Sequence, residues 1–215
     1  AGADAGELPS QLPDFPHYSD PVAQFRQEFE AVGGVFLEGR GSGQMAESLS
    51  TVIRDTDSIE VYWESEELFH KYPIPYQLDK TGQGSANLLL YSRHPGYKVE
   101  FPVCLESRLY GKGALAESSL SISPARYGIA ETGTIVHEVV PGIGRLFSLL
   151  PPAWLALLSE RDLIMNSGEF FADRLADPRG SVLTLVTGPS RTADIEKTLV
   201  VGVHGPKKMF IILTP

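Results

Sequence analysis

The chain has 215 residues, 42% of them hydrophobic and 21% charged, a balance that fits one globular domain, alone or with a loosely attached arm, and not a disordered protein. Its net charge of −9 argues against nucleic acid as a main partner, because a phosphate backbone selects basic surfaces. The single cysteine, Cys104, excludes an internal disulfide and cannot alone supply the thiolates of an iron–sulfur cluster or a zinc knuckle, so no metal is expected.

Residues 1–20 are rich in Pro, Gly, Asp and Ser without periodicity and are expected to form an irregular arm, with residues 21–215 as a single α/β domain. Asp20-Pro21 reads as an N-cap followed by proline at the first helical position. Val22, Phe25, Phe29 and Val32 then keep helical spacing as far as Gly33-Gly34. Val35-Phe36-Leu37 reads as a strand, Gln44 to Ile53 as a helix, Ser58 to Trp63 as a strand and Glu64 to Lys71 as a short helix. Leu88 to Tyr91 and Val99 to Cys104 read as strands in a less regular middle section. Ser118 to Ile122 and Ile135 to Val140 read as strands flanking "ARYGIAETGT". Trp154 to Leu158 reads as a strand, Leu163 to Leu175 as an amphipathic helix, and Val182 to Val186 and Phe210 to Leu213 as the last strands.

This alternation of strand and helix predicts a three-layer α/β architecture with a mainly parallel sheet. No run of eighteen apolar residues occurs; the nearest, Leu149 to Leu158, is interrupted by Pro151 and Pro152, so no membrane span is expected. No secretory signal is visible, and with one cysteine the expected location is the reducing cytoplasm.

Several stretches approach known catalytic or nucleotide motifs and miss. In "EGRGSG", residues 38–43, position 44 is Gln where the third glycine of a dinucleotide turn belongs, so a flexible turn is expected. In "HEVVP", Pro141 replaces the second histidine of a zinc-protease helix. "YGKG" lacks the hydroxyl residue of a phosphate loop. "GPSRT" lacks the second glycine of a hydrolase elbow, which leaves a Ser190, His204, Asp194 triad only formal.

Two loops carry more, and in a parallel sheet they are expected beyond the carboxyl ends of the strands. The first is "AETGT", where Glu131 is an acid between apolar runs, Thr132 and Thr134 bring hydroxyls, and Gly133 lets backbone amides approach a ligand. The second is "GPSRTADIEKTLVVGVHGP", where Gly188 ends a strand, Ser190 and Thr192 bring hydroxyls, and Arg191 presents a planar fork suited to carboxylate or phosphate. Asp194 and His204 complete its polar set. Residues 188–215 hold four Lys or Arg against Asp194 and Glu196, a locally basic end able to attract a small anion. The alternative is conventional turn chemistry, with Thr192 capping a short helix and Arg191 pairing with Asp194 or Glu196. His137, on an apolar strand, is expected to pack rather than react.

The stretches "YGIAETGTIV" (127–136), "RLFSLLPPAWLALL" (145–158) and "TGPSRTADIEKTLVVGVHGP" (187–206) resemble the LutC/YkgG lactate-utilisation proteins of the LUD-domain family, formerly DUF162. That resemblance implies a NagB/RpiA/CoA-transferase-like fold and work beside iron–sulfur partner proteins in oxidising L-lactate to pyruvate. It makes this chain an accessory subunit without a cofactor of its own. On this reading Arg191 pairs with a small anion, amides near Gly133 and Gly188 line its cradle, and Glu131 is the candidate proton acceptor. The alternatives are a stand-alone enzyme of acyl or phosphosugar chemistry that uses Glu131, and a non-catalytic adaptor.

Overall fold

A computed structural model describes residues 14–56, 60–63, 89–91, 120–139, 148–176, 182–193, 199–201 and 205–215. The predictions for Glu64 to Lys71 and Val99 to Cys104, together with Asp194 and His204, lie outside them.

Helix α1, Pro21–Ala31, begins where the sequence predicts: the Asp20 carboxylate accepts from the Ala23 amide at 2.9 Å and Pro21 follows. Its buried residues Phe25 and Phe29 stack with ring centroids 5.7 Å apart. Strand β1, Val35–Glu38, leads into helix α2, Gly41–Thr56, and then to β2, Glu60–Trp63, and β3, Leu89–Tyr91. After β4, Leu120–Pro124, the chain forms β5, Tyr127–Ile129, β6, Thr134–Val139, and β7, Ala153–Ser159. A 3-10 turn, Glu160–Asp162, leads to β8, Leu163–Ile164, and helix α3, Ser167–Ala176. Strands β9, Val182–Val186, β10, Arg191–Ala193, β11, Leu199–Val201, and β12, Lys208–Thr214, complete the described order.

Six of the described strands form one parallel sheet in the order β1-β12-β7-β4-β2-β3. Its central strands are buried on both faces, which is why β7 and β12 read as continuous apolar runs rather than alternating ones. One face, with Leu155, Leu157, Phe210, Ile212, Leu120 and Ile122, packs on Met45, Leu49 and Val52 of α2. The other, with Trp154, Ala156, Leu158, Met209, Ile211 and Leu213, packs on Phe25 and Phe29 of α1 and on Ile135 of β6. The predicted three-layer arrangement is therefore present, with α2 on one side and α1 plus further strands on the other.

Those further strands form a second sheet in the order β8-β5-β6-β9, in which β6 is antiparallel to both of its neighbours. It is the main departure from the sequence reading. Tyr127–Ile129 is a strand, and Leu163–Ile164 pairs with it, so the predicted helix from Leu163 starts only at Ser167. Arg191–Ala193 pairs antiparallel with Leu199–Val201, so Thr192, the helix cap of the alternative reading, lies in a strand.

Trp154 donates its indole N–H to the Ser123 hydroxyl at 2.8 Å, and the buried His137 ring lies edge-on to the same indole at 5.7 Å. His137 thus sits in the core, as its apolar strand predicted.

Candidate functional site

The two loops singled out by sequence meet. Ala130–Gly133 joins β5 to β6, and β6 pairs with β9 so that Ile135 lies opposite Val186, which delivers Thr187 beside the turn. A chain of hydroxyls crosses the junction: Thr132 Oγ1 to Thr134 Oγ1 at 2.6 Å, and Thr134 Oγ1 to Thr187 Oγ1 at 2.7 Å. Thr134 is buried, whereas Thr187 is exposed and Thr132 half-buried. The hydroxyls available to a ligand are therefore those at the two ends of the chain.

The glycines of this junction face a helix. Gly133 has φ +62°, and a Cβ built there would lie 2.4 Å from the Phe29 amide nitrogen of α1. Gly188 has φ +79°, and its Cβ would lie 2.9 Å from Val32 at the α1 C-cap. Both positions need left-handed backbone and close approach, the two conditions under which only glycine fits. What approaches them is α1.

Glu131 is held as firmly. Its amide donates to the Met165 carbonyl at 2.9 Å, and its carboxylate accepts from both the amide and the hydroxyl of Ser167, each at 3.0 Å. Ser167 is the first residue of α3, so the carboxylate sits on a helix N-terminus, where unpaired amides and the helix dipole favour negative charge. The Asn166 side chain accepts from the Glu169 amide, and the Glu169 carboxylate accepts from the Met165 amide, which completes the capping.

Past Gly188, the Ser190 amide donates to the Pro206 carbonyl at 2.9 Å, bringing the two ends of the 190–206 connection together. Arg191 and Thr192 then enter the β10–β11 hairpin, opposite Val201 and Val200. The position of this loop corrects the sequence reading. Val32 precedes β1, Pro206 precedes β12, and Lys207 donates to the carbonyl of Pro152, just before β7. Residues 188–190 thus lie at the amino edge of the parallel sheet. The carboxyl-edge rule applies to strands of that sheet, and β9 belongs to the other one.

At the carboxyl edge the chain places groups that sequence reasoning passed over. Arg40, following β1, pairs with Glu38 at 3.0 Å and approaches Glu160 at 3.9 Å. Arg126, following β4, pairs with Glu138 at 3.4 Å and lies over the Tyr127 ring at 4.7 Å. The signal for the first was "EGRGSG" at a strand-to-helix turn; nothing local marked the second, whose partners are brought together by β5–β6 pairing. Among the described residues no group of three His, Cys, Asp or Glu is placed to hold a metal ion, and no helix is long and apolar enough to cross a membrane.

The family model for the LUD domain matches residues 22–214, nearly the whole chain. The chain belongs to the LUD-domain family. It is 34% identical over 102 residues to a lactate utilization protein C of Bacillus subtilis, a match covering 45% of this chain and 42% of that protein. A protein of the same name from Halalkalibacterium halodurans is 37% identical over 95 residues, covering 42% and 41%. The aligned region thus spans less than half the length of these relatives. A DUF162 family protein from Deinococcus radiodurans, known from a crystal structure, superposes with a TM-score of 0.61 at 18% identity over 91% of this chain and 96% of that one. That likeness shows the fold, and this LUD domain shares its layered α/β architecture.

Proposed function

We propose that this LUD domain serves lactate utilisation in the cytoplasm as an accessory subunit beside iron–sulfur partner proteins, and that it holds a small carboxylate or phosphate-bearing anion where the two loops meet. Its relatives' names support the pathway. The observation that carries the site is the Thr134–Thr187 contact, which joins the Glu131 turn to the segment leading into Arg191. In this reading the Arg191 guanidinium carries the charge that attracts the anion, and the hydroxyls of Thr132, Thr187 and Ser190 orient it, Thr192 following on the opposite face of β10. Asp194 and His204, which the sequence adds to the same polar set, complete the proposed site residues. Gly133 and Gly188 let the two loops seat on α1, and Thr134 links them.

Glu131 takes a positioning role here, because its carboxylate already serves two donors of Ser167. The clusters that carry electrons belong to the partners.

A strain lacking the gene, grown with L-lactate as sole carbon source, tests the pathway. Growth should fail on lactate alone, return with the wild-type gene, and return only weakly with Arg191→Ala. Undiminished growth of the deletion strain on lactate would overturn the pathway assignment. Full rescue by Arg191→Ala would overturn the anion site.

A further inference from the structure

We infer that β9 is the edge through which two copies of this chain join, pairing antiparallel about a two-fold axis at Thr184 to make one continuous sheet. Among the described residues β9 ends the second sheet, with β6 on one side only. Proteins ordinarily protect such an edge with a very short strand, a lysine, a proline or a covering element. The opposite edge, β8, has the first of these protections, being two residues long. Strand β9 has five residues, Val-Leu-Thr-Leu-Val, with neither charge nor proline, and Val182 and Leu185 are 50% and 47% exposed.

The sequence of that strand names the occupant. Val182-Leu-Thr-Leu-Val186 reads the same in both directions. Antiparallel pairing of two copies about Thr184 therefore sets Val182 opposite Val186, Leu183 opposite Leu185, and Thr184 opposite itself. Every cross-strand pair is matched in size and apolarity, which is the self-complementarity a two-fold interface requires. A two-fold axis perpendicular to the sheet also keeps the faces in register. Val182, Thr184 and Val186, which pair with Val139, His137 and Ile135, stay on the core side in both copies, and Leu183 and Leu185 stay on the other. An arbitrary partner strand would need its own matching pattern, whereas a second copy has it already.

Sedimentation and cross-linking of the full chain test the pairing. The chain should sediment at twice its 23.4 kDa mass when loaded at roughly 100 µM, a concentration suited to an interface of modest area. Leu185→Lys should return it to a single-chain mass, and at low micromolar concentration, where neither protein is paired, the two should melt at the same temperature. In the proposed register the two Leu185 side chains are diagonal neighbours, roughly 7 Å apart. Leu185→Cys should therefore form a covalent dimer with a short bis-maleimide in yields well above the wild type, whose only thiol is Cys104. A single-chain mass for the wild type at that concentration would overturn the inference. So would a dimer indifferent to Leu185→Lys, or, should that variant fail to fold, cross-linking of Leu185→Cys no better than wild type.

Discussion

Removing the Glu131 carboxylate is expected to weaken the fold measurably, because that group closes the N-terminus of α3. It accepts two hydrogen bonds from Ser167, at 3.0 Å each, and both donors sit at the positive end of a ten-residue helix. A hydrogen bond to a charged acceptor contributes about 1.5–3 kcal/mol where buried and closer to 1 where water competes, and Glu131 is only half-buried. The helix terminus adds about 0.3–1 kcal/mol. Glu131→Ala should therefore cost about 2 kcal/mol, and Glu131→Gln, which keeps one acceptor oxygen, about 1 kcal/mol. Ser167→Ala, which removes the hydroxyl and leaves the amide, should also cost about 1 kcal/mol. Urea denaturation of the three variants and of the Glu131→Ala/Ser167→Ala pair gives a double-mutant cycle, in which the paired losses should fall short of additive. Stability of Glu131→Ala within about 0.5 kcal/mol of wild type would refute the capping role and return the carboxylate to the candidates for proton transfer.

Other substitutions read other parts of the junction and core. Gly133→Ala would force a left-handed alanine against the backbone of Phe29 and should cost about 3 kcal/mol or more, lowering the melting temperature by roughly 6–12 °C. Gly188→Ala meets the Val32 side chain first, at 2.9 Å, and should cost about 2 kcal/mol in the same thermal assay. Ser123→Ala leaves the buried Trp154 N–H without its acceptor; a loss of about 1–3 kcal/mol in urea denaturation is expected. Thr187→Val keeps shape but removes one hydroxyl from a chain whose inner member, Thr134, still reaches Thr132. Its cost should stay near 1 kcal/mol in urea, with a larger fractional effect on anion affinity.

Where local signals and tertiary demand agree, the sequence was legible. Asp20-Pro21 followed by Val22, Phe25 and Phe29 contains the cap, the first turn and the buried face of α1, and each appears as read. The apolar runs of β7 and β12 likewise announce central strands of a parallel sheet. Leu163-Ile164-Met165 misleads because a short apolar run suits a strand or a helix equally; pairing with β5 decides it, and the true helix signal lies later, in Asn166 through Glu169. The site shows the same division. Gly133 reads in the sequence as a place of close approach, but a glycine does not say what approaches it, and at Gly188 only the fold brings Val32 near. Glu131 likewise reads as an unsatisfied acid until α3, thirty-six residues away, supplies Ser167. The amino-edge position of the second loop depends on β9 belonging to a second sheet, a fact of pairing that no single segment carries.

The most direct test follows amide resonances of the isotope-labelled chain during titration with L-lactate, pyruvate and inorganic phosphate. Saturable shifts concentrated at residues 131–134 and 187–193, and lost in Arg191→Ala, are the expected result. Shifts confined to residues 39–43 at the carboxyl edge, or none with any of the three anions, would contradict the proposal that the meeting of these two loops makes the binding site.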